Sequence, residues 1–244
     1  MTRIIISLTR FIVIAVVTIL FAACTSNRVG ITGSGKIVTE NRSISEPITS
    51  VGAASGLEVI IIQSPEISVV VEADDNLQQH IITEVKDGVL RIKTDDVGFF
   101  NSTKAKVTVH LPVIKQIDAN SGSSVKSGNI IKSTELVVIS SSGSSLNVEA
   151  EADHIVAESS LGSTITLKGK ALKLETSSSS GSQNDARELH ANDVESQSSS
   201  GSTTYVRPIL SLDADASSGS SIVYLGSPKH IAREESSGGS VSAK

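Results

Sequence analysis

Between Lys36 and Pro112 the apolar positions alternate with polar ones at a period of two. The segments GLEVIIIQ, ISVVVEA, GVLRIKT and AKVTVHLP are β-branched runs, and clusters of Gly, Pro or Asp separate them. Successive side chains of a strand point to opposite faces, so this pattern predicts strands with one face in a core. The stretch DDNLQQHIITEVKD interrupts the alternation and has room for one short helical turn. Residues 36–112 therefore read as a β-rich, largely antiparallel module.

After Pro112 the pattern becomes a repeat. Serine clusters center on Gly122, Gly143, Gly162, Gly181, Gly201, Gly219 and Gly238, at spacings of 21, 19, 19, 20, 18 and 19 residues. Seven residues before the glycine stand Leu136, Ile155, Leu174, Val194, Leu212 and Ile231, all apolar. Three residues after it the chain carries Val125, Leu146, Ile165, Asn184, Thr204, Ile222 and Val241. Five after it, in the middle units, stand Val148, Leu167, Ala186, Val206 and Tyr224. A unit of about 20 residues is too short for a propeller blade, and no helical period is present. Its contour of roughly 66 Å suffices for one rung of two or three short strands around a thin apolar center. The expected fold is all-β: a parallel β-helix (β-solenoid), right-handed, of about seven rungs over residues 113–244, preceded by the β-rich module. In that geometry the serines beside each glycine stack at a narrow corner, and the glycine provides the turn.

Composition is consistent with a packed domain, since 39% of the 244 residues are hydrophobic. The net charge of −5 is scattered, with no basic stripe interleaved with aromatics, which argues against nucleic-acid binding. The first 23 residues differ from the rest: Arg3 and Arg10 precede an apolar run from Phe11 to Phe21, which is short of the roughly 20 residues that span a bilayer. They read as a lipoprotein signal peptide. The ending LFAAC resembles a lipobox, with Phe21 where that motif more often has Leu. It makes Cys24, the one cysteine and so without a disulfide partner, the expected lipid attachment point. Acyl chains such as palmitate, at about 0.8 kcal/mol per buried CH₂, would hold the protein on a membrane without a spanning helix. Residues 24–35 form the tether, and the expected location is the bacterial cell envelope, lipid-anchored at the outer membrane.

Candidate chemistry is sparse. His80, His110, His154, His190 and His230 are scattered without zinc-like spacing, and no nucleophile elbow occurs among the many serines. No catalytic residue, metal ligand set or cofactor is expected. Aromatics are 2% of the chain, poor material for stacking sugars. The notable constellation is acidic: Glu175, Glu195 and Asp213 stand six residues before their glycines, and Glu158, Asp215 and Glu234 stand four before. Like charges on adjacent rungs repel, so this face is either solvated or offset by a hard cation or other ligand. Lys168, Arg187 and Arg207, six residues after their glycines, are expected to balance it. Phe99 and Phe100 follow Gly98 and are either an exposed contact point or a buried plug.

The motifs SVGAASGLEVIIIQ (Ser50 to Gln63), VVVEADDNL (Val69 to Leu77), ITEVKDGVLRIKT (Ile82 to Thr94) and VTVHLPVIKQIDANSGSS (Val107 to Ser124), followed by SSGS units, carry a resemblance. From Lys36 onward the chain resembles the auto-transporter adhesin family with a head GIN domain, envelope lipoproteins common among Bacteroidetes. That resemblance implies a β-helical envelope protein and brings no catalytic or ligand residues with it. HANDVESQ is more polar than the family pattern, which predicts one irregular rung. The expected function is that of a non-enzymatic, lipid-anchored adhesin or binding scaffold, whose partners are the membrane and a protein or polysaccharide ligand. The alternative is a carbohydrate-binding or carbohydrate-active β-helix.

Overall fold

The structure, a computed structural model, describes residues 30–95, 98–100, 102 and 104–244; Cys24 and the signal segment lie outside the described residues. The N-terminal half contains β1 (Gly30–Thr32), β2 (Ile37–Arg42), β3 (Ser50–Ala53), β4 (Glu58–Gln63), β5 (Ser68–Asp74), β6 (Ile81–Lys86), β7 (Val89–Thr94), β8 (Gly98–Phe100) and β9 (Ala105–Leu111). The repeat contains β10 (Gln116–Ala119), β11 (Ser124–Ser127), β12 (Ile131–Ser140), β13 (Ser145–Ser159), β14 (Thr164–Ser178) and β15 (Gln183–Ser198). It ends with β16 (Thr203–Val206), β17 (Pro208–Ala216), β18 (Ser221–Tyr224), β19 (His230–Glu235) and β20 (Ser240–Ala243). One 3₁₀ turn, Gln78–His80, falls in the stretch with room for a helical turn.

The strands form a parallel β-solenoid of about seven turns, as the repeat predicts. Along the first sheet the order is β6, β7, β3, β10, β12, β13, β14, β15, β17, β19. The second sheet runs β2, β5, β9, β4, β11, β13, β14, β15, β16, β18, β20. The long strands β13 to β15 belong to both, because each crosses the second sheet, bends near its middle and enters the first. The sheets run unbroken across residues 112 and 113: β3 and β4 pair in parallel with β10 and β11 and form a first rung inside the N-terminal half. Beyond that rung β7 and β9 still pair in parallel with β3 and β4, and antiparallel strands close the end, β6 on β7 and β5 between β9 and β2. Phe99, on β8, is partly buried and packs against the core. The polar stretch HANDVESQ carries a register shift between Ala191 and Asp193.

The serine clusters are tight turns. At each, the residue before the glycine and the glycine itself have positive φ, 54° at Ser142 and 70° at Gly143. The N–H of Ser144 donates to the Ser141 carbonyl at 3.2 Å. Two positive φ values closed by this bond define a type I′ turn. The preceding serines therefore point outward and are exposed, contrary to the expected stacking on both sides of the glycine; Leu161, 60% exposed, takes the same place. The serines after the glycine are buried and do stack. Their hydroxyls each donate to a carbonyl of the preceding rung: Ser144 to Ala119 at 2.8 Å, Ser163 to Ser140 at 2.7 Å, Ser182 to Ser159 at 2.9 Å and Ser220 to Ser198 at 2.7 Å.

The interior is aliphatic apart from the buried serines beside the turns, and it is most polar where Asn184 and Thr204 replace the apolar residue. There Thr176 donates to Ser196 at 2.8 Å, and the hydroxyls of Ser178, Ser198 and Thr204 lie 2.7 to 2.8 Å from one another. The last rung is closed differently. Ile231 is 44% exposed, and Arg233 and Glu235 occupy places that are apolar or hydroxylic in earlier rungs, so charges guard the edge. The Glu235 carboxylate accepts the Val241 N–H at 2.8 Å.

Leu161 holds a left-handed φ of 52° on a largely exposed side chain. Leu161→Gly or Leu161→Asn should stabilize the protein by about 0.5–1 kcal/mol in denaturant titration. Ser163→Ala, which removes the hydroxyl bonds to the Ser140 carbonyl and the Ser160 N–H while these two still bond each other at 3.0 Å, should cost about 0.5–1.5 kcal/mol in the same measurement.

Candidate functional site: the outer face of the first sheet

Strand periodicity turns the residues two, four and six before each turn glycine outward, so one flat face collects a residue from every rung. Glu175, Glu195 and Asp213 stand on three successive rungs in direct register. Glu158 and Asp215 share the neighboring column, but Ser177 and Gln197 stand between them. The structure thus brings Glu175, Glu195 and Asp213 together and separates Glu158 from Asp215 by three rungs, about 14 Å. A shallow depression of about 140 Å³ lies between Glu158, Glu175 and Glu195.

The cation that balances this column is Lys173, which the sequence reading did not single out. It stands two residues before Glu175, and its ammonium lies 2.7 Å from Glu175 and 2.9 Å from Glu195, bridging two rungs. Hydrogen bonds to these two carboxylates raise the Lys173 pKa above the ordinary lysine range. The Lys173 hydrogen bond holds the Glu175 carboxyl below its usual range, with His154 at 3.1 Å helping. The expected partners lie elsewhere: Lys168 and Arg187 stand toward the second-sheet ends of β14 and β15, and Arg207 at the bend between β16 and β17. Lys168 pairs with Glu188 at 3.0 Å, Arg187 with Asp185, and Arg207 meets His190 at 3.3 Å. Each therefore has its own neighbor, and Arg187 also covers the Tyr205 ring at 4.6 Å. Glu158, Asp213 and Asp215 are exposed and have no ion-pair partner among the described residues. No group of three or more His, Cys, Asp or Glu among the described residues converges as a metal site would.

The same face changes character toward the N-terminal half. Val137, Ile139 and Val156 point outward and are half-buried. Asp118 stands beside Ile139, and the Gln116 amide donates to both its oxygens at 3.1 and 3.0 Å. Burial pushes the Asp118 carboxyl up despite that amide, and Glu158 adds to the effect. Beyond Gly52, Arg91 on β7 and Lys86 on β6 are exposed, while Lys93 pairs with Glu84 at 3.1 Å. At the border of this face, a trough of about 660 Å³ at the corner opposite the serine turns is lined by Gln63, Lys115, Lys132 and Glu135 together with Gln116 and Val137 of the face itself. A second of about 380 Å³ continues it past Ser133 to Leu172 and Ile209. Neither is apparent from the spacing of the serine units, because the second bend has no repeating residue to mark it.

Fold and face together define a β-solenoid scaffold with a charged, open surface. A family model described as "Putative auto-transporter adhesin, head GIN domain" matches residues 47–228, and the chain belongs to that family. Crystal structures share the fold. The chain is similar to a "putative adhesin" of Bacteroides fragilis NCTC 9343, with a TM-score of 0.82 and 22% identity over 88% of this chain and 100% of that one. It is also similar to a "putative lipid binding protein" of Parabacteroides distasonis ATCC 8503, with a TM-score of 0.73 and 17% identity over 88% and 99% of the two chains. A "putative adhesin" of Parabacteroides merdae ATCC 43184 aligns with a TM-score of 0.68 and 17% identity over 88% and 99%. No curated protein sequence matches the chain.

Because its folded pKa lies above the unfolded value, Asp118 lowers stability as pH rises through the carboxylate range. Asp118→Asn should therefore raise the melting temperature at pH 7, and the difference should vanish in acid, where the native carboxyl is protonated. Thermal melts across that pH range check both parts.

Proposed function

We propose that this chain is a non-enzymatic cell-envelope protein, anchored through acyl chains on Cys24 at the outer membrane, whose outer sheet face makes adhesive contacts. The observation that carries this reading is the pair of adjacent columns of carboxylates on one face, three of which, Glu158, Asp213 and Asp215, are exposed and without an ion-pair partner among the described residues. A flat charged face suits broad contact with a macromolecule more than capture of a small one. Family membership supports an adhesive role at the cell envelope or surface. Acid–base hydrolysis is disfavored by the same geometry. Glu175 and Glu195 hold one ammonium group between them, and Glu175 is kept ionized, the opposite of what a general acid requires.

Cys24→Ala should move the protein from the membrane pellet to the soluble fraction, and tight membrane retention in that variant would refute the anchor. Cells carrying Glu158→Gln, Asp213→Asn and Asp215→Asn together should attach severalfold less to protein- or polysaccharide-coated surfaces. Unchanged attachment would remove the acidic face from the reading.

A further inference from the structure

The geometry points to a second copy of this chain, packed antiparallel against the same face, as the partner of the first sheet. This inference rests on the adhesive reading above and names its ligand. The sheet has ten strands from β6 to β19, and the midpoint of that row falls between β12 and β13. The outward apolar residues Val137 and Ile139 on β12 and Val156 on β13 flank that midpoint. A twofold axis through it, parallel to the strands, buries this apolar center against itself and lays each end of one sheet over the opposite end of the other.

The two ends are opposite in charge. The second strand from one end, β7, carries Arg91, and the second from the other, β17, carries Asp213 and Asp215. The terminal strands β6 and β19 carry Lys86 and Glu234. All five of these groups are exposed and without an ion-pair partner among the described residues; the twofold sets Arg91 opposite Asp215 in the same column and brings the other charges of each end beside ones of opposite sign. Asp118 and Glu84 are the exceptions in sign: Glu84 stands opposite Arg91 and is already paired with Lys93, and Asp118 faces β14 of the partner, where Lys173 already neutralizes Glu175. Nine strand intervals of about 4.8 Å and a strand width of roughly 17 Å give about 700 Å² of face per copy, close to the ~800 Å² per partner of a stable interface.

The antiparallel arrangement also places the two tethers. Gly30 enters at the end formed by the antiparallel strands, where Ser34 and Gly35 bond Asp75 and Asp74. In two such copies the Gly30 ends therefore lie at opposite ends of the paired rods, about 40 Å apart along the rod. That geometry suits molecules on two facing membranes, so the contact is homophilic and joins cells.

Sedimentation equilibrium of the full chain in density-matched detergent, and clustering of vesicles carrying it, test the inference. The wild-type chain should form dimers and cluster vesicles. Arg91→Glu should weaken dimerization by roughly tenfold or more, as should Asp213→Arg with Asp215→Arg, and combining all three should restore it. A single monomeric species at every protein concentration, or a combined variant no better than its parents, overturns the twofold contact. If the chain stays monomeric while the acidic-face variants still lose attachment to coated surfaces, the adhesive reading stands and its partner is a different macromolecule. If dimers and their charge-swap rescue are seen but vesicles do not cluster, the facing-membrane geometry falls.

Discussion

Everything in this protein rests on one hydrogen bond repeated at a fixed pitch: the buried serine hydroxyl that follows a turn glycine donates to a carbonyl of the rung before. The same oxygen accepts the N–H of the residue that opens its own turn, as Ser163 does from Ser160 at 3.2 Å, so one side chain ties the turn to its rung and the rung to its neighbor. Alanine there provides neither bond, and in the turn at Gly56 the place is taken by the buried Leu57. The glycine N–H adds a second tie, donating outward to the next turn, as from Gly162 to Ser180 at 3.1 Å. Because both partners are backbone or nearly so, the pitch is fixed independently of what the outer faces carry.

That constraint is why the rungs were legible in the sequence. The turn requires positive φ at two successive residues, which forces glycine at one of them, and the rung-to-rung bond requires serine two positions after the exposed residue. Both requirements recur with the rung, so the spacing of glycines revealed the solenoid. What the spacing concealed was Gly56, the same turn in the N-terminal half: an excursion of five strands separates it from Gly122, and its cluster reads ASG instead of SSGS. The serines before the glycine were misplaced for a physical reason too. Their composition matches the buried ones, and only the left-handed φ turns them outward.

The candidate face was legible in part. Offsets from the glycine correctly placed Glu175, Glu195 and Asp213 on successive rungs, because outward residues in one column inherit the repeat. The same counting put Glu158, Asp215 and Glu234 in one column, where Asp215 and Glu234 are neighbors but Glu158 stands three rungs from Asp215. It also assigned the balancing role to Lys168, Arg187 and Arg207, because offset alone does not say which sheet a residue lies on. Lys173 was missed for the complementary reason: it has no equivalent in the other rungs, where its column carries Glu135, His154, Asp193 and Ser211. A bridge between two rungs is a feature of one place in the ladder, and repeat logic is blind to such features.

A solenoid separates what holds it together from what it presents. Inward columns are aliphatic or hydroxylic and touch only the rungs above and below, whereas outward columns touch solvent, so a charge can be exchanged on a face without disturbing the ladder beneath. Arg91, Asp213 and Asp215 are free in this sense. Asp118 is not, since burial against its neighbors on the face raises its pKa and couples it to folding. The acidic end and the apolar middle of the first sheet therefore differ in kind. The end can be tuned in charge at little cost to the fold, while the middle, where Val137, Ile139 and Val156 stand half-exposed in places that earlier and later rungs give to polar residues, has no role in the ladder and is best accounted for by contact with something outside it.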